Sequence, residues 1–107
     1  LKQKLKNKPL TIYGDGSQTR DFIYVSDVVN VMMKAAKSKI YKQIFNVASQ
    51  KSLTINKIAK IFGGKIEYLP QRKGEPKYSE ANIKKIKTLL KWKPKVSINK
   101  GINYLLK

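Results

Sequence analysis

Two glycines bracket an aspartate at Gly14-Asp15-Gly16, and this turn constrains the chain more than any other segment. Glycine and Asp reach the left-handed backbone angles that a tight reversal needs. The turn lies between two runs of strand character, Leu10-Thr11-Ile12-Tyr13 and Thr19 to Val25, the second rich in aromatic and β-branched residues. A helix start follows at once: Ser26 suits an N-cap, Asp27 a first turn, and Val28, Val31, Met32, Ala35 and Ala36 recur at helical spacing. This predicts strand, turn, strand and helix over residues 10–38, with Met32 toward the core and Met33 at its edge.

The rest of the chain repeats this scale. Leu1 and Leu5 share a helical face that Pro9 ends. Residues 43–48 (Gln43-Ile44-Phe45-Asn46-Val47-Ala48) read as a strand. Thr54 caps a helix carrying Ile55, Ile58, Ala59 and Phe62, which Gly63-Gly64 closes. Residues 65–69 alternate as a strand, and residues 71–78 form an open polar loop. Ser79 and Ser97 suit N-caps for two last helices, the first with Ile83, Ile86, Leu89 and Leu90, the second with Ile98, Ile102, Leu105 and Leu106. The 107 residues suit one small domain, and strands and helices in no strict β-α-β order indicate an α/β chain of the small α+β lobe type.

Composition excludes several chemistries. There is no cysteine and no histidine, hence no thiol catalysis, no disulfide and no common zinc site. The net charge of +18 raises the possibility of a polyanionic partner and a stand-alone basic nucleic-acid-binding module. The lysines, however, are scattered without a dense block, which reads as a compositional habit rather than a nucleic-acid footprint. The six acids form no close pair, no Tyr is followed by Lys at i+4, and no dinucleotide-binding glycine fingerprint follows a strand. No catalytic, metal or cofactor site is expected from these residues. No apolar run is long enough to span a bilayer, and the start has no signal-peptide centre.

Among 24 basic residues only two are arginines, Arg20 and Arg72. An arginine fork grips phosphate or carboxylate bidentately, which lysine cannot do. The two are therefore candidates for one anionic ligand; the competing reading makes each an ordinary surface charge. Glu75 lies in the same loop as Arg72. Asn46 needs a partner within its apolar run, by tying down a neighbouring loop or by contacting a ligand.

Residues 10–28, Leu10-Thr11-Ile12-Tyr13-Gly14-Asp15-Gly16-Ser17-Gln18-Thr19-Arg20-Asp21-Phe22-Ile23-Tyr24-Val25-Ser26-Asp27-Val28, closely resemble the motif that opens the C-terminal substrate lobe of the sugar-nucleotide epimerase/dehydratase family, the extended short-chain dehydrogenases. Two further segments agree in order and spacing: Phe45-Asn46-Val47-Ala48 with Ser52-Leu53-Thr54-Ile55, and Arg72-Lys73-Gly74-Glu75-Pro76 with Ser79 and Leu90-Lys91-Trp92-Lys93-Pro94. Ser26 and Lys91 depart from the family pattern, which usually has an acid and a glycine there.

The resemblance implies a C-terminal nucleotide-sugar-binding lobe over 1–107, about a third of a longer enzyme. That enzyme's Rossmann domain binds NAD and carries the catalytic Tyr-x-x-x-Lys. It implies a UDP- or dTDP-sugar as substrate, a homodimeric cytoplasmic parent, and a UDP-hexose 4-epimerase or, as the alternative, a 4,6-dehydratase. Carried over by position, Leu10, Thr11, Ile12 and Tyr13 lie against the base, Arg20 and Arg72 hold the diphosphate, Glu75 meets the ribose, and Asn46 is structural.

Overall fold

The computed structural model describes all 107 residues. Nine short elements follow in order: α1 (Lys2–Leu5), β1 (Leu10–Tyr13), β2 (Thr19–Asp21), α2 (Val25–Lys37), β3 (Ser52–Thr54), α3 (Ile55–Phe62), β4 (Ile66–Leu69), α4 (Lys84–Leu89) and α5 (Ile98–Leu106). They form a small mixed α/β arrangement around two ribbons. β1 and β4 pair in parallel with Leu10 opposite Ile66 and Tyr13 opposite Leu69. β2 and β3 pair antiparallel with Arg20 opposite Leu53. Each sheet has two strands only, so one edge of β1 carries no neighbour.

Side-chain alternation along β1 sends Leu10 and Ile12 inward and leaves Thr11 and Tyr13 half-buried on the other face. Leu10 and Ile12 meet Ala59 of α3, with Ile55, Phe62 and Ile66 packed around them. A second, larger core joins Val31 of α2 to Ala48, Ile83, Ile86, Leu90 and Trp92. Two of the predicted caps are made: Thr54 Oγ1 accepts from Lys57 N, and Ser97 Oγ accepts from Lys100 N. Gly63 ends α3 with φ of 68°. Gly101 sits inside α5 because a Cβ there would come within 2.9 Å of Tyr24 Cδ2.

Several expectations are corrected. The strand over 19–25 stops at Asp21, since β3 supplies only three partner residues. Helix α2 begins at Val25 with Tyr24 as N-cap, and Ser26 caps nothing. Met32 is 65% exposed and Met33 53% exposed, so neither faces the core. The buried line of α2 runs through Asp27 and Val31, while Val25, Val29, Met32 and Met33 form a second apolar stripe on the open side. Residues 43–48 pair with no strand. The helix after Ser79 forms only from Lys84, with Leu89 turned outward, and Leu105 of α5 is half exposed.

The shape follows from this incomplete burial. The chain forms a plate of 48 × 33 × 16 Å with a radius of gyration of 16.2 Å. A compact domain of this length has about 13 Å. Its 8013 Å² of accessible surface exceeds the ~6,100 Å² expected of a compact protein of this mass by roughly 1,900 Å².

Candidate functional site

The predicted site residues come from three places: the end of β1, the start of β2 and the loop over 70–78. The turn between β1 and β2 is held by its own side chains. Asp15 Oδ1 accepts from Ser17 N at 2.8 Å and Ser17 Oγ at 2.6 Å. These bonds hold the Asp15 carboxyl below its ordinary value of 3.8. Asn56 of α3 donates to Asp15 O and accepts from Tyr68 OH, tying the turn to α3 and β4. Gly16 is required here: its φ is 73°, and a Cβ would lie 2.0 Å from Asn56 Oδ1.

Arg20 and Glu75 meet directly. Arg20 Nη2 donates to Glu75 Oε1 at 2.9 Å, and its Nη1 donates to Pro76 O and Thr19 O at 2.8 and 2.7 Å. The contact spans 55 residues and fastens the 70–78 loop to β2. Three of the five guanidinium protons are thereby used, leaving two donors on a fork fixed in orientation. Arg72 is differently placed. Its guanidinium carbon lies 3.7 Å from the centre of the Tyr13 ring, a cation–π stack, and the fork makes no hydrogen bond to protein. A polar hollow of about 90 Å³ lies between these pairs, lined by Gly14, Asp15, Gln18, Gln71, Glu75 and Lys77, with Ser17.

Of the sequence-derived candidates, the structure brings Tyr13 to Arg72 and Arg20 to Glu75. Leu10 and Ile12 direct their side chains into the core, and the Leu10 amide donates to Lys65 O next to β4, so neither residue is brought to the Arg72 or Glu75 side chains. Thr11 is bound to Gln3 through both its hydroxyl and its amide. Asn46 donates to Asn82 O, which ties two segments together. Sequence reasoning missed Asn56, Gln71 and Lys77. Their only sequence signal was polarity, and their role depends on contacts that no periodicity encodes.

The model of the NAD-dependent epimerase/dehydratase family matches residues 1–48. UDP-glucuronic acid decarboxylase 4 of Arabidopsis thaliana is 35% identical over 111 residues, covering 98% of this chain and 25% of that protein. UDP-glucuronate 4-epimerase of Thermodesulfobacterium geofontis is 36% identical, covering 95% of this chain and 33% of that protein. The chain belongs to the NAD-dependent epimerase/dehydratase family. Among solved family members, UDP-glucuronic acid 4-epimerase from Bacillus cereus in complex with UDP-glucuronic acid and NAD superimposes with a TM-score of 0.87. It is 34% identical, and the match covers 95% of this chain and 35% of that one. The chain thus spans about a quarter to a third of the family members it matches, corresponding to their C-terminal portion.

Proposed function

We propose that residues 1–107 form the lobe that binds the nucleotide end of a UDP-sugar in an NAD-dependent epimerase of this family. The observation that carries the reading is the Tyr13–Arg72 stack beside the Arg20–Glu75 pair. Arg72 offers an unspent bidentate fork on a rigid aromatic face, and Arg20 offers two further donors held by Glu75 and Pro76. A diphosphate carries about two negative charges; Arg72 brings an uncompensated positive charge to it, and Arg20, paired with Glu75, brings oriented donors. On the edge of β1 away from β4, Gln3 holds the Thr11 amide and Gln18 holds Tyr13 O, so a flat base would meet the Tyr13–Arg72 face rather than a bare strand edge. The hydroxyl-rich ribose suits the polar hollow at Glu75, whose second carboxylate oxygen is not used by Arg20.

The chemistry then follows from orientation. Fixing the nucleotide holds the sugar at a set distance and angle, so remote binding energy supports the reacting centre. The hydride chemistry at the sugar would be supplied by NAD, which no residue of this chain would hold. Residues of this chain do not fit a dinucleotide site, because the Gly14–Gly16 turn leads into β2 rather than a helix and is filled by Asn56. We assign NAD and the proton-transferring base to a Rossmann domain corresponding to the rest of the relatives' length. Decarboxylases stand among the relatives beside epimerases, and their common element is a UDP-sugar. The epimerase reading therefore rests on the epimerases among the relatives and the solved neighbours, and the substrate class on the decarboxylases as well.

The surface supports a partner domain of this kind. Besides the outward stripe Val25, Val29, Met32 and Met33, the chain presents a segment, 41–48, whose backbone makes no hydrogen bond. In that segment Ile44 is 87% exposed while Phe45 and Val47 pack inward. An alternating segment with unpaired amides is suited to joining a sheet edge of another domain.

Calorimetric titration of UDP into the chain tests the proposal. UDP should bind, and Arg72→Ala should weaken it about ten- to hundred-fold, the worth of losing hydrogen bonds to a charged group. Arg72→Lys should recover little, because it keeps the charge and loses the fork. Equal binding by wild type and Arg72→Ala would remove the site from this loop. Binding of a DNA oligomer with steep salt dependence, without binding of UDP, would favour the nucleic-acid module instead.

A further inference from the structure

A second hollow lies away from the Tyr13–Arg72 site, where α5 and the segment before it cross α3 and the residues after β2. It has two adjoining parts that share Phe22, Val96, Ser97 and Ile98. The inner part, about 190 Å³, is walled by Ile58, Phe62, Ile102 and Leu105 and closed toward Tyr24. The outer part, about 360 Å³, is rimmed by Lys51, Lys57 and Lys95 with Ser49 and Asn99. No carboxylate lines either part. The three ammonium groups make no hydrogen bond or ion pair within the protein; the one salt bridge in the chain is Arg20–Glu75.

We propose that this hollow is a binding site for a small amphipathic anion: one aromatic ring or short alkyl chain bearing a phosphate or carboxylate. Size and charge both select that class. An apolar cavity of about 150 Å³ takes a benzene-sized guest, so the inner part accommodates one substituted ring. The lysine rim places cations where a head group on that ring would emerge, and nothing of opposite sign competes for them. A fully apolar guest would leave the rim unused, and a bare anion would leave the slot unused. The lysines come from three separate stretches, before β3, within α3 and before α5, so the rim is a product of the fold rather than of a basic run. The proposal is independent of nucleotide binding, because none of its residues lines the hollow at Glu75.

Phenyl phosphate is the probe, titrated into the isotopically labelled chain and followed by amide chemical shifts, with inorganic phosphate and phenol as separate arms. Saturable shifts should centre on Phe22, Leu53, Val96 and Ile98. Phenyl phosphate should bind at least ten-fold more tightly than either arm, and UDP should not displace it. The double variant Lys57→Gln/Lys95→Gln, at exposed positions, should weaken it about ten-fold while leaving the amide spectrum otherwise unchanged. Inorganic phosphate matching phenyl phosphate would reduce the site to diffuse lysine charge and overturn the proposal. Phenol matching it would remove the role of the rim, and shifts centred elsewhere would remove the site.

Discussion

Asp27 is a buried carboxylate with a task that a substitution can isolate. It is 4% exposed in α2, and a single oxygen, Oδ2, accepts from Lys95 N at 3.0 Å and Val96 N at 2.9 Å. These bonds close a separation of 68 and 69 residues and hold the segment between Trp92 and α5 against α2. Asp27→Ala removes both and leaves two amides without a protein partner. Hydrogen bonds to a charged acceptor contribute about 1.5–3 kcal/mol each. Lys95 is solvent-exposed, so water can satisfy part of the loss. The expected cost is therefore about 3 kcal/mol, the low end of the two-bond sum and a large share of a small domain's stability. Asp27→Asn should cost about 1–2 kcal/mol, because one amide oxygen can still accept from both N–H groups as a neutral acceptor. Both variants delete the same charge from a protein of net +18, so long-range repulsion cancels from their difference.

Urea unfolding followed by fluorescence of Trp92, the only tryptophan and 3% exposed, measures both. With a slope near ~1.2 kcal/mol/M for a chain of this size, the Ala variant should lose about 2.5 M in midpoint and the Asn variant about 1 M. If the two variants differ by less than about 0.5 kcal/mol, the clamp does not hold the 95–96 segment and the reasoning fails.

Gly16→Ala should destabilise by about 1–3 kcal/mol, since it meets both a positive φ and the Asn56 side chain; Gly74→Ala, with nothing within 4 Å, should cost less, and thermal melts of the two variants decide it. Asp15 has its folded-state carboxyl below 3.8 through the Ser17 bonds, so its contribution is present above that pH and fades as pH falls through the lower folded value. In acid titrations Asp15→Asn should therefore narrow its gap to wild type below about pH 3.8, and a constant gap down to pH 2 would contradict this. Met32→Lys and Ile44→Lys should each reduce self-association of the chain in high salt, where repulsion is screened; sedimentation velocity showing a strict monomer for wild type would remove the docking face.

The turn chemistry was legible from residues 14–18, because Gly and Asp have few other uses in that order. The caps at Thr54 and Ser97 and the core positions Ile83, Ile86 and Ile102 were also legible, since periodicity assigns a face, whereas Leu10 and Ile12, expected against a base, are core residues. The same logic failed on α2, which carries apolar residues on two sides. Spacing cannot say which stripe is covered when the structure covers only one. It failed for 43–48 in the same way: strand composition is local, but a strand needs a partner, and none is present. Asp27 read as a helix-start charge because its partners lie nearly 70 residues away. Arg20 and Arg72 stood out through scarcity, yet scarcity could not say that one would be bound to Glu75 and the other stacked on Tyr13.

The two signs of charge do different work in this chain. Four of the six acids act as ties: Asp15 to Ser17, Asp21 to the amides of Ser49 and Gln50, Asp27 to those of Lys95 and Val96, and Glu75 to Arg20. None of the four is bound to a lysine ammonium group, and only the ammonium groups of Lys34 and Lys87 make hydrogen bonds. The acids are therefore structural, and the positive excess is left unneutralised. That division has a cost in self-repulsion, which salt should relieve. It also means that the positive field around Arg72, and around Lys51, Lys57 and Lys95, is not cancelled from within. An anion approaching Arg72 or the lysine-rimmed hollow displaces no internal partner, whereas one approaching Arg20 meets Glu75 already paired with it. Selectivity must then come from the shapes beneath the charge: a tyrosine face and a polar hollow at one site, an apolar slot at the other.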